Sequence, residues 1–392
     1  MELAQRMERI KEPQTIKMAK LARKLSDEGK DVINLSLGEP DFATPRHIIE
    51  AAKQAMDDGF TKYTPVVGTL DLREAICEKL KRDNRLHYSP ENIVVSTGAK
   101  QALANAILTI INPGDEVLVP TPYWVTYSAL IDLAEGENKY IEAKAKNNYK
   151  LTAEELEEAI SDQSKLFIFS SPCNPSGAVY SKSELQALVR VFEKYPNCAI
   201  LSDEIYEYIN YTGGHESIAQ FESIKNRVIV VNGFSKGFAM TGWRLGYMAA
   251  PVKIVKGCER IQGQFTSGAN SITQKAAIAA LLGDQSPTKL MQADFEKRRN
   301  FMIEAFDEID GIDLPLPEGA FYAFPDVSAY FGKNGIHSSE DMSMYILNNA
   351  HVSTVYGSAF GNDNSIRISY AANLDVLKEA MKRIKNLLDE SH

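Results

Sequence analysis

The stretch RVIVVNGFSKGFAMTGWRLGYMAA, residues 227–250, decides how the chain is read. It opens and closes on short apolar runs, 227–232 and 245–250, in which polar and apolar residues do not alternate. Runs of that kind fit strands buried on both faces of a sheet. Between them lies a polar segment that carries Lys236 and Arg244.

Similar runs recur upstream at 92–96 (NIVVS), 116–119 (EVLV), 165–170 (KLFIFS) and 198–202 (CAILS). Helical patterns separate them. In GAKQALANAILTI (98–110), Leu103, Ala106, Ile107 and Ile110 fall on one face, as do Leu72, Ile76 and Leu80 earlier. Strand–helix alternation predicts an α/β fold, a mainly parallel sheet with helices on both sides. This large domain is expected over residues 46–285. Beyond DQSP (284–287) the pattern changes to a charged helical stretch, 289–309, and to short strand-like pieces at 319–325, 352–355 and 365–370. A last amphipathic helix follows. Residues 286–392, with the N-terminal segment 1–45, are expected to form a smaller α+β domain.

Composition narrows the function. Of 392 residues, 44% are hydrophobic and 24% charged, ordinary for a soluble globular protein. The net charge of -9 argues against a nucleic-acid binder. No run of about 20 apolar residues suggests a membrane span. The N-terminus lacks a secretory pattern. Cys77, Cys173, Cys198 and Cys258 are widely spaced, which disfavours a zinc site or a disulfide framework and suits a reducing cytoplasm.

Ligands of open α/β sheets sit at the carboxyl ends of the strands. The residues there are STGAK (96–100), SSPCNPSG (170–177), SDEIY (202–206) and NGFSKG (232–237). Taken alone, each has a plain structural reading. STGA reads as a cap and a turn, Lys236 as a solvated charge, Asp203 as a turn residue and Trp124 as core. Taken together, they put a potential anion site, an amine and a carboxylate on one rim. A desolvated Lys236 near another cation such as Arg244 would become a nucleophile toward aldehydes. The Arg244 fork suits a phosphate. Asp203 could hold a pyridine nitrogen protonated, and Trp124 could stack on a planar ring.

The segment SKGFAMTGWRLG (235–246) resembles the lysine motif of class I aminotransferases of pyridoxal-phosphate (PLP) fold type I. GEPDF (38–42), YTP (63–65), GAKQA (98–102), PCNPSG (172–177), SDEIY (202–206), GAFY (319–322) and RISY (367–370) are similar to further family motifs, in the same order. Cys173 and Ser176 depart from the commoner NNPT, but Asn174 is kept. The resemblance covers nearly the whole chain and is nearest to bacterial aspartate, or aspartate/prephenate, aminotransferases. It implies a seven-stranded, mainly parallel sheet. It implies that Lys236 holds the cofactor as a Schiff base and shuttles a proton, and that Asp203 pairs with the ring nitrogen. Asn174 and Tyr206 would bond the phenolic oxygen, and Trp124 would stack on the ring. Gly98, Ala99, Lys100, Ser235 and Arg244 would hold the phosphate, with Tyr63 reaching it from the other subunit of a homodimer. Arg367 would grip the substrate α-carboxylate, helped by Asn174 and Gly38.

For the substrate, the resemblance implies aspartate and 2-oxoglutarate. Lys100 would meet a distal carboxylate, and the segment containing Lys11 and Thr15 would close over the site. A lysine at a helix N-terminus opposes the helix dipole, which gives Lys100 a reason to serve a ligand. Prephenate, aromatic amino acids and alanine are the alternatives. A different PLP reaction, such as carbon–sulfur lysis, is the second reading of the same site.

Overall fold

The computed structural model describes residues 3–4, 6–10 and 14–389. The first strand, β1 (Ile33–Asn34), lies outside the large sheet. That sheet has seven strands: β2 (Ile93–Ser96), β3 (Glu116–Thr121), β4 (Glu137–Glu142), β5 (Ser164–Ser170), β6 (Ala199–Asp203), β7 (Val228–Gly233) and β8 (Gly246–Ala249). Their spatial order is β2-β8-β7-β6-β5-β3-β4. All neighbours are parallel except β8, which runs antiparallel to both β2 and β7.

The unbroken apolar runs have a simple cause. Successive side chains of one strand enter different cores. In β7, Val228 and Val230 join one hydrophobic cluster, while Ile229 and Val231 join the cluster on the opposite face. In β5, Phe167 and Phe169 face the first, Leu166 and Ile168 the second. Helices cover both sides. Ala99–Ile110 places Leu103, Ala106 and Ile107 in the second cluster. Leu70–Asn84 places Leu72, Ile76 and Leu80 in the first. At a typical 1.5–3 kcal/mol per fully buried large apolar side chain, these two layers are the main source of stability, roughly speaking.

Sequence patterning found six of the seven strands and missed β4. Its residues, ENKYIE, form one edge of the sheet, and only Ile141 among them is buried. A charged edge strand blunts edge-to-edge association but carries no apolar run to find.

The remaining strands are β9 (Tyr322–Ala323), β10 (Val352–Ser353), β11 (Val355–Tyr356) and β12 (Ile366–Ser369). β11, β12 and β9 form an antiparallel sheet in that order, and β10 pairs in parallel with β1. Their core contains Leu35, Phe295, Phe321, Ile346, Ile368 and Leu377, drawn from both ends of the chain. The helix expected at 289–309 spans Ser286–Asp307, and the last helix spans Leu374–Asp389. Helix Gln14–Asp27 buries Met18 and Ala22, and Met18 meets Leu347 and Tyr356. Tyr206 and Ile209, which follow β6, enter this second core.

Candidate active site

The ends of β2, β5, β6 and β7 open into one cavity of about 380 Å³. Its walls include Ala99 and Lys100 after β2, Asn174 after β5, Asp203 and Tyr206 at the end of β6, and Ser235 and Lys236 after β7. Trp124 and Arg244 complete that side, and Thr15, Gly38 and Arg367 come from the opposite one. Twelve expected residues thus share one space.

Three expected residues stand apart. Gly98 caps the helix Ala99–Ile110 just outside the lining, at φ 80°. Tyr63 is fully exposed and away from the cavity. Lys11 lies outside the described residues.

The charges are unusual. The Lys236 amine donates to the Gly38 carbonyl. Burial first, and then the Arg367 charge, push its pKa down to about 8. Glu39 opposes this, and Arg244 contributes less than Arg367. The sequence had suggested Arg244 as the helper. The chain brings Arg367 into that role from 131 positions away in sequence, which no local motif displays.

Asp203 is 3% exposed, and burial pushes its carboxyl up to about 6. The Tyr127 phenol donates to its Oδ2 at 2.8 Å, and the Ile205 N–H reaches Oδ1 at 3.3 Å. Both favour the ionised form.

Arg367 is 2% exposed, yet forms no ion pair with a described carboxylate. It donates to Asn174 Oδ1 at 2.9 Å and to the Ser36 carbonyl at 2.7 Å, and its buried Nε has no partner. Tyr322 packs 4.5 Å beneath the guanidinium and hydrogen-bonds Tyr206, oxygen to oxygen at 2.7 Å. The Lys100 ammonium sits 4.9 Å over the Trp124 ring.

These residues fit pyridoxal phosphate. A buried carboxylate without a cation suits a protonated ring nitrogen. Arg244 donates only to the Thr241 carbonyl among the described residues, beside the free N–H groups of the helix that starts at Ala99. Such a grouping of donors suits a phosphate. A Cβ on Gly98 would lie 2.6 Å from Arg244 Nη2, and its φ of 80° is one that glycine alone adopts readily.

The comparisons agree. Residues 30–384 match the model of the family described as aminotransferase class I and II. The aspartate/prephenate aminotransferase of Nitrosomonas europaea is 45% identical, covering 99% of this chain and 100% of the relative. The aspartate aminotransferase of Bacillus subtilis is 41% identical over the full length of both. Among solved structures, the Rhizobium meliloti aspartate aminotransferase superposes with a TM-score of 0.97 at 42% identity, covering 99% of each chain. The chain belongs to the class I and II aminotransferase family. It is a pyridoxal-phosphate-dependent aminotransferase of fold type I.

Sequence reasoning missed Tyr127, Tyr322 and Thr241, all in the cavity wall. Tyr127 stands three residues after Trp124, and their rings meet edge to face at 5.7 Å. Tyr322 lay inside a recognised motif but had been given no role.

Proposed function

We propose that the chain moves an amino group between aspartate and 2-oxoglutarate in two half-reactions, with prephenate as a further amino acceptor. The observation that carries this reading is that Lys100 and Arg367 line one cavity and neither pairs with a described carboxylate. Two such cations suit a dicarboxylic substrate. Relatives named for prephenate, from Nitrosomonas europaea and from Petunia hybrida at 43% identity over 98% of this chain, support the addition.

When bound, pyridoxal phosphate supplies an aldehyde for the amino group and an electron-withdrawing ring. Lys236 would hold it covalently and move the proton at the substrate α-carbon. A pKa of about 8 leaves part of this amine neutral near pH 7.5, as a base requires. Asp203 would keep the ring nitrogen protonated. Asn174 and Tyr206 would bond the phenolic oxygen, and Trp124 would stack on the ring. The backbone at Gly98, Ala99 and Lys100, with Ser235 and Arg244, would hold the phosphate. Arg367 would take the α-carboxylate in a bidentate grip, with Asn174 and the Gly38 backbone beside it. Thr15 and Lys11 would cover the substrate.

The reading also includes a cytoplasmic homodimer in which Tyr63 reaches the partner's phosphate site. Its full exposure supports this. Among the described residues no helix is long and apolar enough to cross a membrane. The division into a body of residues 46–285 and one of 1–45 with 286–392 belongs to the same proposal, supported by the β1–β10 pairing.

The test is Lys100→Ser. It should raise KM for aspartate by about tenfold and leave KM for alanine nearly unchanged. Equal effects on the two substrates would remove the dicarboxylate assignment.

A further inference from the structure

The mechanism leaves one group of buried charges unused. Asp203 and Tyr206 face the cavity, but Glu204 and Glu207 do not. Glu204 is 1% exposed. Its carboxylate accepts from Ser202 Oγ at 2.9 Å and Ser217 Oγ at 2.6 Å, and pairs with His215 Nε2 at 2.9 Å. Glu207 pairs with Lys79, which has no exposed surface, and accepts from Asn84 Nδ2 at 2.9 Å. Lys79 also donates to Asn84 Oδ1 at 2.7 Å.

Glu204, Glu207 and His215 have ligand atoms within 4.8 Å of one another, the spacing of a cation site. Lys79 already occupies Glu207, however, and His215 faces Glu204. Burial opposes a charge on His215, but Glu204 and Glu207 outweigh it and raise its pKa, with Lys79 opposing. Two carboxylates thus meet an ammonium and an imidazole supplied by the protein itself.

Buried ion pairs rarely add stability over apolar side chains of similar size, so stability does not explain four ionisable groups in this place. Their position does. They grip the back of the segment whose front carries Asp203 and Tyr206, and they tie it to the helix Leu70–Asn84 and to the loop through His215 and Ser217. Glu204 also acts on Asp203 directly, since its charge raises the Asp203 pKa.

We propose that the Lys79–Glu207 and His215–Glu204 pairs are one charge-balanced clamp that positions Asp203 and Tyr206 for the cofactor. Lys79, Glu204, Glu207 and His215 are positioning residues, and they touch neither substrate nor cofactor. This inference rests on the assignment of Asp203 and Tyr206 to the cofactor made above.

The test uses three variants and three readouts. Lys79→Met/Glu207→Leu removes one pair whole, Asn84→Ala removes the bridge between its members, and His215→Gln removes a charge but keeps a donor. The readouts are the melting temperature of the cofactor-free protein, its PLP affinity by fluorescence titration, and the pH midpoint of the visible band of the holoprotein. The double variant should melt within about 3 °C of the parent. It should hold PLP about tenfold more weakly, the lower end of what outer-shell partners are worth at metal centres. His215→Gln should raise the acid-side midpoint by about half a unit, because Glu204 then acts on Asp203 unshielded.

Parent-like affinity and midpoint in all three variants would overturn the clamp. Should the double variant fail to fold, Asn84→Ala and His215→Gln decide alone. Asp203→Asn, run in parallel, separates the two claims. If it too leaves affinity and midpoint unchanged, the cofactor assignment falls. If it moves both while the clamp variants move neither, only the clamp falls.

Discussion

The Tyr127 phenol donates to Asp203 Oδ2 at 2.8 Å, in a place where burial pushes the carboxyl up to about 6. After burial itself, this bond is the largest influence on that carboxyl, and it acts to keep it ionised. Tyr127→Phe should therefore raise the Asp203 pKa further, by about one to two units if the bond to the charged form is worth 1.5–3 kcal/mol. The acid limb of the kcat–pH profile should move to higher pH by a similar amount. An unmoved limb would mean that the ring nitrogen alone sets the Asp203 charge.

Asp203 should also cost the cofactor-free protein stability. Its folded pKa lies above its ordinary value of 3.8, so the fold disfavours the ionised form relative to the unfolded chain. The stability this group contributes is present below about pH 4 and is lost as pH rises through 6. Asp203→Asn should thus stabilise the apoprotein above pH 6 by on the order of 3 kcal/mol, and by little at pH 4. Urea melts at the two pH values check this.

Lys236 should show the same opposition between stability and function. Its amine is lowered from 10.5 to about 8, so below pH 8 the fold carries the full cost of a buried cation. Lys236→Met should stabilise the apoprotein there by on the order of 3 kcal/mol, with the gain fading as pH rises from 8 to 10.5. Turnover should fall by at least about 10⁴. Borohydride reduction of the parent holoprotein should label the peptide containing Lys236, and a label elsewhere would refute its role.

Gly38→Ala should act on substrate binding at a distance. A Cβ there would lie 2.1 Å from the Tyr322 hydroxyl, and Tyr322 supports Arg367 from below while bonding Tyr206. Tyr322 must move, and Arg367 with it. KM for both substrates should rise by about tenfold, with a smaller change in kcat. Restored KM in Gly38→Ala/Tyr322→Phe would identify the hydroxyl as the point of collision.

Much of this was legible in the sequence because strand burial and site chemistry share a code. A strand covered on both faces is apolar throughout, and the first polar residue past its end is already at the rim. Ser235, Asp203 and Asn174 were found in that way. Edge strand β4 was not, because its polar residues face water. Lys79 and Glu207 look like solvated helix and turn charges, and only the folded contacts show them buried against each other. Tyr322 escaped because its role depends on Arg367, 45 positions further on.

The antiparallel return of β8 beside β7 has an architectural consequence. Gly233 pairs with Gly246, so residues 234–245 form a closed loop with both feet on adjacent strands. The amine at 236 and the guanidinium at 244 are therefore carried by one loop of fixed length. Inserting even one residue between them would shift the amine relative to the guanidinium, whatever else in the cavity stayed in place.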